Sequence, residues 1–155
     1  MVEDVYRHIS KSTKKLFITL PIPPSVNHMY IHLRNGAKRL SKTSEEYLKN
    51  IITIIHKAKI KQSWRRPKKE TWLYIDMIFY MPDRRVRDSH NLLKLPLDAM
   101  QSIIYINDYY VLPRIQSVEY DKHNPRVEIM ISHQLQNERS EIIAKTRSDE
   151  QKGGK

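Results

Sequence analysis

Cysteine is missing altogether from these 155 residues, and glycine occurs only three times. The first absence excludes disulfides, thiolate zinc sites and cysteine nucleophiles, and it fits a reducing compartment, the cytoplasm. The second argues against glycine-rich phosphate cradles and flexible linkers. No apolar run approaches the ~18 residues of a membrane span, and the N-terminus lacks the apolar core of a signal peptide. Acidic residues are also in short supply. Only 17 Asp and Glu stand against 28 Lys and Arg, leaving a net charge of +11. At 39 % hydrophobic the chain can still bury a core, and roughly 100–200 residues usually build one domain. The expectation is a soluble cytoplasmic domain with an acidic partner, most economically nucleic acid.

The positive charge is concentrated. Residues 34–69 hold 12 Lys and Arg against only Glu45 and Glu46, a local balance of +10. Such a stretch is either a solvated surface or a phosphate-tracking one. Its clustering favours the second, with Lys38, Arg39, Lys42, Arg65, Arg66, Lys68 and Lys69 as candidate DNA contacts. Tyr30, Tyr47 and Trp64 lie nearby in sequence and suit either stacking on unpaired bases or a place in the core. His28 suits a phosphate contact or simple packing in its loop.

Pattern divides the chain into a flexible lead-in (1–14), a folded domain (15–133) and a polar tail (134–155). A strand over 15–20 is stopped by Pro21-Ile22-Pro23-Pro24, and Asn35-Gly36 reads as a hairpin tip. Thr43 or Ser44 is placed to cap a helix over 45–61, whose Leu48, Ile51, Ile52 and Ile55 recur at helical spacing. Residues 71–81 alternate, with Leu73, Ile75, Met77 and Phe79 on one face, as a half-buried strand does. A second helix is expected over 89–104, kinked at Pro96, with Leu93, Leu97, Met100 and Ile104 towards the core. Strands over 115–120 and 126–133 complete an α+β fold: a single domain with a small mixed sheet and two main helices on one face.

Chemistry concentrates between Pro82 and Asp108. Asp88 stands where a helix begins, which suits an N-cap. His90, Asn91, Lys94 and Asp98 then share an arc beside the apolar stripe. Such groups are costly at a buried helix edge unless they serve one another or a bound ion. Asp88, His90 and Asp108 are ligand types suited to Mg²⁺ or Mn²⁺ with water completing the shell. Lys94 is placed to hold a phosphate, and Arg84, Arg85 and Arg87 to position a strand beside it.

Four stretches carry a resemblance. Pro23-Pro24-Ser25-Val26-Asn27 follows the first strand, and Pro82-Asp83-Arg84-Arg85-Val86-Arg87-Asp88 is an arginine-rich turn into an aspartate. Asn91-Leu92, Lys94 and Leu97-Asp98-Ala99-Met100 come next, then Ile104-Tyr105-Ile106-Asn107-Asp108. In this order and spacing they resemble the RusA family of Holliday junction resolvases, the crossover junction endodeoxyribonucleases. The resemblance implies a homodimeric, Mg²⁺- or Mn²⁺-dependent endonuclease of DNA recombination and repair, often phage or prophage encoded, with no organic cofactor. It would bind four-way junctions and nick two opposing strands symmetrically, a two-fold task that suits a two-fold dimer. By position, Asp88 and Asp108 become metal-binding carboxylates and Lys94 the catalytic lysine, with Asn27, Asn91 and Asp98 in support. The family pattern carries an aspartate where this chain has His90, so a branched-DNA binder with weak or no catalysis is the alternative. Asn107 likewise replaces the first member of the family's acidic pair.

Overall fold

The computed structural model describes residues 15–134. The expectations for residues 1–14 and for the tail beyond Gln134 lie outside that range. Strand β1 (Leu16–Leu20) is followed by a hairpin of β2 (Tyr30–His32) and β3 (Lys38–Leu40), then helix α1 (Lys42–Lys61) and β4 (Leu73–Met81). A short helix α2 (Lys94–Met100) precedes β5 (Val111–Tyr120) and β6 (Arg126–His133). The main sheet runs β1-β6-β4-β5, antiparallel except for the parallel β4–β5 pair, and β2–β3 forms a small sheet of its own. This is the mixed α+β domain expected.

The core follows from the alternation in β4. Leu73, Ile75, Met77 and Phe79 are fully buried and share one cluster with Leu16, Ile18 and Leu20 of β1 and Val127, Ile129 and Ile131 of β6. Tyr47, Ile51 and Ile55 of α1 and Leu95, Ala99 and Met100 of α2 join the same cluster, so both helices cover one face of the sheet. Burying such side chains supplies roughly 1.5–3 kcal/mol each, before chain entropy is set against it.

Several expectations are corrected in detail. Helix α1 starts earlier, capped by Ser41, whose Oγ accepts the Ser44 N–H at 3.3 Å. Ser44 is buried and fills the first turn instead of capping it. Trp64 and Tyr47 are not stacking platforms but core residues. Trp64 donates its indole N–H to the Ile104 carbonyl at 3.1 Å, and the Tyr47 hydroxyl donates to Pro21 O at 2.9 Å. The second face of β4 is also covered, because Asp76 is 4 % exposed. It accepts a two-pronged contact from Arg114 at 2.6 and 2.7 Å and a third hydrogen bond from Gln116.

The long kinked helix resolves into two pieces. Residues Ser89–Leu92 form a single tight turn, and α2 begins afresh at Lys94. Pro96 therefore lies in the first turn of α2, where a backbone N–H has no helical partner, and it kinks nothing. The restart also shifts the buried stripe. Leu92, Leu95, Ala99, Met100 and Ile104 are buried, while Leu93 and Leu97 are only partly so. At the sheet edge, the Gln62 side chain pairs with β1 as a strand would. Its amide oxygen accepts Phe17 N–H at 2.9 Å and its NH₂ donates to Phe17 O at 2.6 Å, which blunts that edge.

Candidate active site

The end of β4 delivers the chain into the arginine-rich turn. Asp83 shapes it, accepting the Arg85 backbone N–H at 3.0 Å and Arg87 Nη2 at 2.8 Å. The Arg87 contact, then the Arg85 backbone, hold the Asp83 carboxyl well below the usual carboxylate range. Arg87 is thus tied to Asp83, Arg84 lies over the Tyr120 ring at 5.2 Å, and Arg85 is 83 % exposed. Arg85 also lies 3.9 Å from Asp83, so its guanidinium is open to solvent but not without a carboxylate neighbour.

Asp88 closes this turn as the cap of the Ser89–Leu92 segment. Its Oδ1 accepts the His90 backbone N–H at 3.0 Å and lies 3.1 Å from His90 Nδ1. Both side chains are exposed. The 26–28 turn, which carries exposed Asn27, packs against this segment. Here the capping reading of Asp88 and its place beside His90 are both realised.

A second group forms one turn away. Lys94 opens α2, and four residues later Asp98 lies on the same face, 2.9–3.0 Å from the ammonium. Asp108, at the start of the Asp108–Tyr110 turn before β5, lines the same open cleft together with Leu97, Val111 and Pro113. The Asp98 hydrogen bond holds the Lys94 ammonium above the ordinary lysine range, with smaller contributions from Tyr30 and Asp108. Tyr105 lies beneath, its hydroxyl donating to Leu97 O at 2.5 Å, and burial raises its pKa. Lys94 is thus paired with Asp98 and shares a solvent-open cleft with a second carboxylate, Asp108.

The structure therefore brings Lys94, Asp98 and Asp108 together and pairs Asp88 with His90. Among the described residues, no three His, Asp or Glu side chains converge closely enough to enclose a metal ion. That does not conflict with the donor chemistry, since Mg²⁺ commonly uses one or two carboxylates with waters and substrate phosphates completing its shell. Asp88 and Asp108 are both exposed carboxylates, the donor type such an ion takes.

Lys38 and Arg39 stand exposed on β3, beside the hairpin tip where Gly36 adopts a left-handed φ of 81°. Arg65, Lys68 and Lys69 are exposed in the loop after α1, whereas Arg66 donates to Ser102 O at 2.7 Å. Lys42 is exposed at the start of α1, with Glu46 3.9 Å away. Sequence reasoning undervalued Asp98, although its i,i+4 spacing from Lys94 was a usable signal. It missed the Trp72–Tyr109–Tyr110 cluster, which the doubled tyrosine after Asp108 hinted at.

Comparison with known proteins decides the family. A family model described as endodeoxyribonuclease RusA matches residues 21–132. This chain belongs to the RusA family. Curated RusA-family relatives named crossover junction endodeoxyribonuclease RusA occur in Escherichia coli (strain K12) and Shigella sonnei (strain Ss046). Each is 40 % identical over 83 residues, covering 54 % of this chain. The relative from Enterobacteria phage 82 is 39 % identical over the same length. The match spans 64 % of the length of these RusA relatives. No helix among the described residues of this RusA-family chain is long and apolar enough to cross a membrane.

Proposed function

We propose that this protein is a divalent-metal-dependent, structure-selective DNA endonuclease that resolves four-way junctions by paired symmetric nicks, acting as a homodimer. The observation that carries the reading is the cleft where Lys94 lies with Asp98 and Asp108, inside the segment matched to endodeoxyribonuclease RusA. Asp88 and Asp108 would hold Mg²⁺ or Mn²⁺ through a shell completed by waters and substrate phosphates, with His90 beside Asp88. Such an ion, when bound, supplies Lewis-acid charge that eases water's attack on phosphorus. Lys94 would contact the scissile phosphate and offset its growing negative charge, held in place by Asp98. Exposed Arg85, Lys38, Arg39, Lys68 and Lys69 would contact flanking phosphates, giving affinity but no sequence preference.

One observation favours the second reading, a branched-DNA binder with weak catalysis. His90 stands where the family carries an aspartate and faces Asp88, so the site has one negative charge fewer. Synthetic four-way junctions incubated with Mg²⁺, Mn²⁺ or EDTA separate the two. Paired nicks that vanish in EDTA support the nuclease, while tight binding without cleavage under every metal supports the binder.

A further inference from the structure

Immediately after Asp108 the chain presents an aromatic cluster that the proposed chemistry leaves unused. Tyr109 is 69 % exposed. It is nevertheless held firmly. Its backbone N–H donates to Asn107 Oδ1 at 2.9 Å, and its ring meets Tyr110 edge-on at 5.0 Å between centroids. Trp72, just before β4, lies 5.9 Å from Tyr109 and 5.3 Å from Tyr110, so the three rings brace one another. Parallel pairing of Leu73 with Val111 is what sets Trp72 beside Tyr110.

We infer that Tyr109 is a stacking platform for an unstacked nucleobase at the branch point of the DNA, beside the strand entering the cleft. The inference rests on the branched-DNA reading above. Two observations and one physical argument support it. Tyr109 follows Asp108 and, with Tyr110, leads into Val111, and Asp108 and Val111 both line the cleft. The ring thus stands next in the chain to the cleft wall that a nucleotide held at Lys94 would meet. Exposed Lys68 and Lys69 precede Trp72 by a few residues in the chain, cations of the kind that contact a phosphodiester backbone. An aromatic face gains most from a base that has lost a stacking neighbour, because bases inside a duplex are already covered on both sides. The platform would thus favour branched over fully paired DNA without reading sequence.

The test uses the full chain and a synthetic four-way junction carrying 5-iododeoxyuridine at the crossover. Irradiation of the wild-type complex is expected to give a cross-link mapping to Tyr109, absent with a fully paired duplex. Tyr109→Ala should weaken junction binding on the order of tenfold, within the range typical of one base–aromatic stack. Duplex binding should be unchanged, and Tyr109→Phe should bind the junction as wild type does. Cross-links mapping elsewhere, or full-strength junction binding by Tyr109→Ala, would overturn the inference and leave the nuclease reading standing. A change in oligomeric state on Tyr109→Ala with unaltered base contact would assign the cluster to a subunit interface and also overturn it. If the wild-type chain binds no junction, the functional reading fails and the platform with it.

Discussion

Replacing Asp98 by Asn tests whether Lys94 is held for a purpose. The pair lies at 2.9–3.0 Å on one face of α2, with side chains 53 % and 36 % exposed. Solvent screens such a pair, and exposed i,i+4 pairs contribute about 0.3–0.5 kcal/mol. The melting temperature should therefore fall by no more than about 1–2 °C. Catalysis should suffer more, because a freed lysine wanders, and a displacement near 1 Å can cost on the order of 100-fold. The expected result is a fall of roughly ten- to 100-fold in kcat with KM little changed, since other cations hold the DNA. The pH profile adds a sign. Asp98 raises the Lys94 pKa above its ordinary value of 10.5, so at neutral pH the lysine is protonated with or without its partner. The kcat loss should then be flat across neutral pH, and any alkaline limb should move to lower pH in the variant. The assay is single-turnover nicking of a labelled junction, with thermal melting in parallel. Unchanged kcat at unchanged melting temperature would refute the positioning role, and a collapse in melting temperature would make the pair structural.

Two further outcomes follow from the same structure. His90→Asp restores the family's carboxylate beside Asp88 and should raise nicking in Mg²⁺ more than in Mn²⁺; equal rates for variant and wild type would remove His90 from the metal question. His133, packed 5.7 Å from the Trp64 ring, has its pKa lowered from 6.5 by burial. A depressed histidine pKa means that stability is full above the unfolded value and is lost as pH falls through the folded one. Melting temperature should decline below about pH 6.5, and His133→Phe should flatten that decline. A decline of equal size in the variant would place the pH sensitivity elsewhere.

Much of the fold was legible because its signals are local. The alternation of Leu73, Ile75, Met77 and Phe79 marks the central strand, and Asn35-Gly36 marks the hairpin tip. Helix phase was less legible. The 89–104 pattern looks continuous until one sees that a proline in the first turn of a new helix satisfies the same sequence. The buried Asp76 with Arg114 was invisible, because 38 residues separate the partners and only the parallel β4–β5 register joins them. Aromatics divided in the same way. Nothing local tells Trp64, buried by a hydrogen bond to a carbonyl 40 residues on, from exposed Tyr109. In the candidate site, Asp88, Lys94 and Asp108 are legible as candidates through the family motif they stand in. The alliance of Lys94 with Asp98 needed the helix restart to be seen.

On the proposed function cutting and holding are separate: the carboxylates and Lys94 would cleave, while exposed cations would grip the DNA. Measuring junction binding and junction nicking side by side for Asp108→Asn tests it most directly. The account predicts that nicking is lost in both Mg²⁺ and Mn²⁺ while the binding constant stays at or above the wild-type value. A variant that nicks at the wild-type rate would contradict it.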